Sequence, residues 1–270
     1  MYPMAMQTPV LSLLLREINV TNKKGSSYDI AKALMQHYHE IPSLTIHELA
    51  DTCFISSASL SRFIRMLGFD HYTEFRNACQ KEIGIEVDYS KEVSKASIDD
   101  MRPILKHYTE NIKNNIDFTF QQLDFKQLER ITKKMFEAKE MAFFGLEFAT
   151  LLGQHFQVKM ASMNKLVRLG LTYEEQKVIA ANLHEGALVF VASLEGGYFY
   201  RNDEVMEILK EKHVTIVAMT MNENTKLMKD VDEILICNKE NSNTEGRITL
   251  LYMIEILLMY YFVNYQMYNI

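Results

Sequence analysis

Five short apolar runs between residues 141 and 237 constrain the fold of this chain more than any other feature. They are MAFFG at 141–145, KLVRL at 165–169, ALVFVAS at 187–193, VTIVAMT at 214–220 and EILIC at 233–237. The runs lack a strict alternation of apolar and polar residues, which is typical of strands that are covered on both faces. Stretches of helical periodicity separate them. Strands that alternate with helices predict a parallel sheet in an α/β domain.

The first third of the chain has a different pattern. From Leu11 to about Gly84, apolar residues recur at spacings of three and four, which favours helices. Polar residues dominate the stretch 86–102, which we interpret as a linker. The sequence therefore predicts an all-α domain over 1–85 and an α/β domain over 103–270.

The segment 43–69 predicts two short helices joined by a tight connection. Thr45 and Glu48 have the spacing of a capping box at the start of the first helix. Ser56 can cap the second helix, and Gly68 can end it. Two helices joined in this way form a helix-turn-helix, whose second helix enters the major groove of DNA.

The outward face of the second helix carries hydroxyl and guanidinium groups. They belong to Ser57, Ser59, Ser61, Arg62 and Arg65. Arginine binds guanine or phosphate, and serine contacts base edges or phosphates. No acidic residue lies between Asp51 and Asp70, so this stretch is locally positive although the chain has a formal net charge of −6. A plain helical hairpin with a solvated Ser/Arg face fits the same spacing, so spacing alone leaves DNA binding open.

Residues 9–85 resemble the N-terminal domain of the RpiR/MurR transcriptional regulators. The resemblance rests on T-I-x-E-L-A from Thr45, I-S-x-A-S-L-x-R-F-x-R-x-L-G-F from Ile55, and Y-x-E-F-R from Tyr72. The resemblance implies a DNA-binding regulator and places the DNA-reading positions on the Ser57–Arg65 helix.

That family carries a second domain, the sugar isomerase (SIS) domain, which has a doubly wound, flavodoxin-like parallel sheet and usually binds phosphosugars. The strand and helix series at 141–237 is similar to such a domain. In open α/β sheets, ligands lie beyond the carboxyl ends of the strands. There, Ser or Thr hydroxyls and backbone N–H groups near helix N-termini hold a phosphate.

The phosphosugar motifs of SIS domains are altered in this chain. Such domains typically show G-x-G-x-S after the first strand and S-x-S-G-x-T after the third. The first motif here reads GLEFA from Gly145, and the second reads SLEGGY from Ser193. Glu147 and Glu195 therefore replace a glycine and a serine. We expect the pocket to be lined by Gly145, Glu147, Ser193, Glu195 and Gly196.

These replacements disfavour a phosphate dianion. Two like charges about 4 Å apart cost about 4 kcal/mol at an effective dielectric of about 20. Each lost hydroxyl donor costs about 1 kcal/mol. Three interpretations of the pocket stay open: it recognises an amine-bearing or uncharged sugar through Glu147 and Glu195, it has lost its ligand and the domain only pairs subunits, or it retains phosphosugar binding.

Catalysis by the α/β domain is disfavoured, although SIS domains also occur in aldose–ketose isomerases. His184 and Glu185 precede the third strand, at the end of the sheet opposite the expected pocket, and His155 falls within a helix. We therefore expect no catalytic residue. The alternatives to a DNA-binding regulator are a helical protein-interaction module on an SIS dimer and an SIS-type sugar isomerase.

Composition adds expectations about location and partners. Three scattered cysteines are too few for a disulfide framework or a zinc site and fit a reducing cytosol. The N-terminal apolar stretch lacks the preceding basic residues of a secretory signal. Glu255 interrupts the apolar C-terminal run, which we interpret as a buried or dimer-forming helix. We expect a cytoplasmic homodimer or higher homo-oligomer, without cofactor, metal or membrane contact, that binds double-stranded DNA and a sugar-derived effector.

Overall fold

The computed structural model describes residues 9–20, 25–83, 100–223, 226, 228–239, 241 and 245–267. These residues form two compact units, one within Gln7–Val87 and the other mainly within Asp88–Ile270. The linker predicted over 86–102 lies outside the described residues except at its last three positions, so it stays a prediction.

Every regular element described in the N-terminal unit is a helix. The helices are α1 (Val10–Val20), α2 (Ser26–Gln36), a short 3-10 helix (Tyr38–Ser43), α3 (Ile46–Thr52), α4 (Ser57–Met66) and α5 (Tyr72–Ile83). A single apolar core joins them, and Leu14, Leu34, Leu49 and Phe75 are fully buried in it. Helices α3 and α4 pack against each other across this core.

Local sequence sets the ends of α3 and α4. The Thr45 side chain accepts a hydrogen bond from the Glu48 backbone N–H, and the Glu48 carboxylate accepts one from the Thr45 N–H at 2.7 Å. The Ser56 Oγ caps α4 by accepting from the Ser59 N–H at 3.1 Å. Gly68 follows α4 with a φ of +99°, a conformation that glycine adopts without steric cost. The predicted capping box, serine cap and terminating glycine are therefore confirmed.

The second unit alternates helices and strands. Its elements are α6 (Arg102–Gln121), α7 (Phe125–Glu137), β1 (Met141–Gly145), α8 (Phe148–Ser162), β2 (Val167–Leu169), α9 (Tyr173–Ala181), β3 (Leu188–Ala192), α10 (Gly197–Arg201), α11 (Asp203–Glu211), β4 (Thr215–Thr220), β5 (Glu233–Ile236) and α12 (Glu245–Tyr265). All five apolar runs contain a strand, which confirms the predicted α/β class.

The five strands form one parallel sheet in the order β2-β1-β3-β4-β5. This is the flavodoxin-like order, in which the chain reverses direction across the sheet between β1 and β3. Gly145 pairs with Ala192 at the carboxyl ends of those two strands. The loops that follow β1 and β3 therefore begin side by side, at the place where such sheets bind ligands.

Both faces of the sheet are buried, which explains why its strands are apolar throughout. Phe143 and Phe190 point into a core shared with α7, α8 and α12. Phe144 and Val191, one residue later in each strand, point into a second core shared with α9 and α11. Successive strand residues face opposite sides, so neither side can be polar.

Helix α12 forms part of the first core. Its fully or nearly buried side chains are Leu250, Met253, Ile254, Leu257 and Tyr261. Among the described helices, α12 alone is long and apolar enough to cross a membrane by length and composition. A core helix of a soluble protein can meet the same criteria.

The aromatic centre of the first core predicts a large local difference in stability. Phe156 is fully buried, and its ring centroid lies 5.1 Å from that of Phe190. Phe156→Ala should lower the free energy of unfolding by about 3–5 kcal/mol because it opens a cavity. Phe120→Ala, at a side chain that is 58% exposed, is the control and should change it by less than about 0.5 kcal/mol. If urea unfolding shows that both variants lose the same free energy of unfolding, this packing is contradicted.

Candidate functional site

Helix α4 has one buried face and one exposed face. Leu60, Phe63 and Ile64 are buried in the N-terminal core. Ala58, Arg62 and Arg65 are exposed and lie at positions i, i+4 and i+7 of one helix face. The apolar side chains thus fix the rotation of α4, and that rotation turns both guanidinium groups toward solvent.

The serine hydroxyls of α4 are partly engaged within the protein. Ser57, Ser59 and Ser61 are half-buried. The Ser59 Oγ accepts a hydrogen bond from Arg62 Nη2 at 3.3 Å, and the Ser61 carbonyl accepts one from Arg65 Nε at 3.4 Å. These bonds hold the two arginine side chains along the helix surface and reduce the rotamer entropy that binding must remove.

His47 is an exposed neighbour of this surface that sequence reasoning missed. It lies on α3, and its Nδ1 is 3.0 Å from the Ser57 Oγ at the start of α4. In a helix-turn-helix the first helix crosses the DNA backbone while the second enters the groove. The position of His47 as a polar residue near the start of α3 could have indicated this from the sequence.

A second candidate site lies beyond the carboxyl ends of β1 and β3. It is a cavity of about 290 Å³, and its lining includes Glu147, Ser193 and Glu195 from the two loops. Gly145 and Gly196, also named from the sequence, are not among its lining residues. A Cβ on Gly145 would lie 2.6 Å from the Ala149 Cβ, so this glycine permits close packing of α8 on β1.

The loop after β3 uses its polar groups internally. The Ser193 Oγ accepts a hydrogen bond from the Tyr198 N–H at 3.0 Å. The Tyr198 ring is buried, and its hydroxyl donates to Gln176 Oε1 at 2.7 Å. Burial raises the pKa of this phenol, so it stays protonated and able to donate. Tyr198, at the position of the family motif's threonine, therefore stabilises the loop through these hydrogen bonds.

The two carboxylates of the cavity are held in different ways. Glu195 Oε1 accepts from Asn241 Nδ2 at 3.2 Å, and Asn241 Oδ1 accepts from the Gly246 N–H of α12 at 3.1 Å. Glu147 is exposed and precedes α8 with φ +50° and ψ −112°. A side chain in that region of backbone space costs about 1–3 kcal/mol, and such strain clusters at functional sites.

Two arginines correct the electrostatic expectation for this cavity. Arg201 and Arg247 line it together with Glu147 and Glu195, so two positive and two negative side chains give its lining a formal charge of zero. The Arg247 guanidinium lies 5.4 Å from the Phe148 ring centroid. The repulsion expected from two carboxylates alone is therefore offset. The position of Arg247 at the start of the last helix could have indicated from the sequence that it lines the cavity. No sequence feature indicated this for Arg201.

The histidines considered for catalysis lie elsewhere. The His184 Nδ1 is 2.9 Å from Glu140 Oε2, just before β1 and thus at the opposite end of the sheet. His155 on α8 is hydrogen-bonded to Glu255 on α12. Among the described residues, no group of three or more His, Cys, Asp or Glu side chains is placed to hold a metal ion.

Comparisons with known proteins match both units. Residues 14–85 match the model of the helix-turn-helix domain of the rpiR family, and residues 134–264 match that of the SIS domain. An uncharacterized HTH-type transcriptional regulator of Haemophilus influenzae is 24% identical over 246 residues, which cover 85% of this chain and 82% of the relative. The regulator HexR of Pseudomonas aeruginosa is 24% identical over 213 residues, which cover 76% of this chain and 70% of HexR.

A solved structure shares the fold over nearly the whole length. The NanR protein of Vibrio vulnificus, complexed with ManNAc-6P, superposes with a TM-score of 0.55 and 17% identity. The match covers 96% of this chain and 93% of NanR.

The strained backbone at Glu147 predicts that the fold gains stability when this side chain is removed. Glu147→Gly should raise the free energy of unfolding by about 1 kcal/mol, because glycine adopts a positive φ without steric cost. Glu185→Gly is the control, since Glu185 is exposed and has no positive φ, and it should lower stability or leave it unchanged. Loss of stability in Glu147→Gly, measured by urea unfolding, would contradict the strain.

Proposed function

The chain belongs to the rpiR family of helix-turn-helix proteins and carries an SIS domain, and on that premise we propose that it is a DNA-binding transcriptional regulator of sugar metabolism. One observation carries the proposal: the packing of α4 exposes Arg62 and Arg65 on a single face. That face fits the major groove, where arginine binds guanine O6 and N7.

Each residue of the proposed interface has a distinct role. Arg62 and Arg65 contact base edges or phosphates, while Ser57, Ser59 and Ser61 position the helix and accept or donate along the groove wall. We propose that His47 on α3 contacts the phosphate backbone, which the first helix of a helix-turn-helix crosses.

Affinity for DNA requires more than one reading helix. With a formal net charge of −6, the chain gains little from general attraction to phosphates. A symmetric dimer that binds two half-sites supplies the missing affinity, because its second contact is intramolecular. The exposed apolar side chains of α12, among them Met259 and Phe262, are the surface through which we propose that two cytoplasmic copies pair.

The cavity supports an effector with both charges. Arginine binds phosphate or carboxylate groups, and carboxylates accept hydrogen bonds from an ammonium group. We therefore propose an amine-bearing sugar phosphate, with its phosphate toward Arg201 and Arg247 and its amine toward Glu147 and Glu195. Binding would bias the dimer between states whose reading helices fit or misfit the operator.

Removal of both exposed arginines tests the interface. Operator fragments selected from genomic DNA by the wild-type protein should bind the double variant Arg62→Ala, Arg65→Ala at least 30-fold more weakly, since each base contact contributes about 1–3 kcal/mol. Lys32→Ala, at an exposed lysine on α2 of the same unit, is the control and should retain the gel shift. Unchanged binding by the double variant would show that α4 is not the reading helix.

Paired ligands test the effector. An amino-sugar phosphate should raise Tm more than the same sugar lacking either the amine or the phosphate. Arg247→Gln should reduce the contribution of the phosphate to the Tm shift, and Glu147→Gln should reduce that of the amine. Equal shifts with and without the amine would contradict the role of the carboxylates, and isomerase activity of the purified protein would replace sensing with catalysis.

A further inference from the structure

Phe54 lies in the turn between α3 and α4 with its side chain almost entirely in water. It is 96% exposed, more than any other large apolar side chain in the part of the chain that the structure describes. A phenylalanine in that position loses the burial that ordinarily stabilises an aromatic ring. Packing within the fold therefore gives no reason for an aromatic residue here.

The backbone at Phe54 is also unfavourable for a side chain. Its φ is +55°, in the left-handed region where a non-glycine residue costs roughly 1–2 kcal/mol. The turn is fixed on both sides, because the Phe54 N–H donates to the Asp51 carbonyl at 3.1 Å and the Ile55 N–H donates to the Ala50 carbonyl at 2.9 Å. Turn geometry thus favours glycine, whereas this chain has an exposed aromatic ring at the position.

Phe54 lies next to the start of the proposed DNA-reading helix. Phe54 precedes Ser56, the cap of α4, by two residues, and the N-terminal residues of a recognition helix are those that contact base edges. The first exposed positions within α4 are Ala58 and Arg62. Asp51 precedes the turn, whereas no acidic residue occurs from 52 to 69 and Arg62 and Arg65 follow on α4.

We propose that Phe54 contacts DNA directly and reads a thymine, by packing its ring against the C5-methyl group at the major-groove edge of each half-site. Apolar contact with that methyl group is an established mode of direct readout, and phenylalanine is among the residues that make it. The proposal rests on the proposed function and adds a specificity-determining residue to it. The rigid turn delivers the ring without the ordering cost of a mobile loop.

Deoxyuridine substitution provides the test, because it removes only the thymine methyl group. Each thymine of the selected operator is replaced in turn by deoxyuridine, and wild-type affinity should fall about fourfold per half-site at one symmetry-related pair, the effect of one buried methyl-sized group. Phe54→Ala should weaken binding to the unmodified operator by a similar factor. Its affinity should no longer change when deoxyuridine replaces thymine at that symmetry-related pair. Val20→Ala, at a side chain that is 78% exposed in the same unit, should keep the wild-type pattern.

Phe54→Gly separates a role in binding from a role in folding. It should raise Tm, since it relieves the positive φ, and yet lower operator affinity as much as Phe54→Ala does. A merely structural residue cannot produce changes of opposite sign. Deoxyuridine sensitivity that persists in Phe54→Ala would overturn the contact with thymine. If Phe54→Ala binds DNA like the wild-type protein but loses transcriptional control, the thymine contact is overturned and Phe54 contacts a protein partner instead. Failure of the wild-type protein to bind any DNA would overturn the proposed function as well.

Discussion

The packing of α4 against the N-terminal core is the constraint on which the rest of this account depends. Leu60, Phe63 and Ile64 are buried together with Leu49 and Ala50 of α3, and this contact sets both the angle between the helices and the rotation of α4. A helix that presents three apolar residues inward at these spacings must present Arg62 and Arg65 outward. The surface that we propose reads DNA is thus a consequence of how the core is filled.

Much of this arrangement could be predicted from the sequence because it depends on local or periodic signals. Capping residues such as Thr45 and Ser56 act on backbone groups within three residues, and strand pairing follows from apolar runs that must be covered on both faces. The flavodoxin-like order of the sheet, expected from the family resemblance, is also confirmed. The helix caps and the positions of the strands need no knowledge of distant contacts, whereas the strand order came from the resemblance.

The chemistry of the cavity was harder to predict because it is assembled from distant segments. Arg201 and Arg247 join Glu147 and Glu195 only after the sheet has formed, so the sequence motifs alone indicated two carboxylates and no compensating charge. Tyr198 also lines the cavity, and only the structure shows that its hydroxyl donates to the buried Gln176 side chain. The prominence of Phe54 depends on its backbone conformation, which sequence periodicity does not reveal.

The central claim is that α4 reads bases in the major groove from two symmetric subunits. Methylation interference at guanine N7 on a selected operator tests it most directly, since that atom lies in the major groove. Two symmetric reading helices should give two blocks of interfering guanines about 10–10.5 base pairs apart, or a multiple of that spacing. Interference confined to minor-groove adenine N3, or none at either groove, would contradict it.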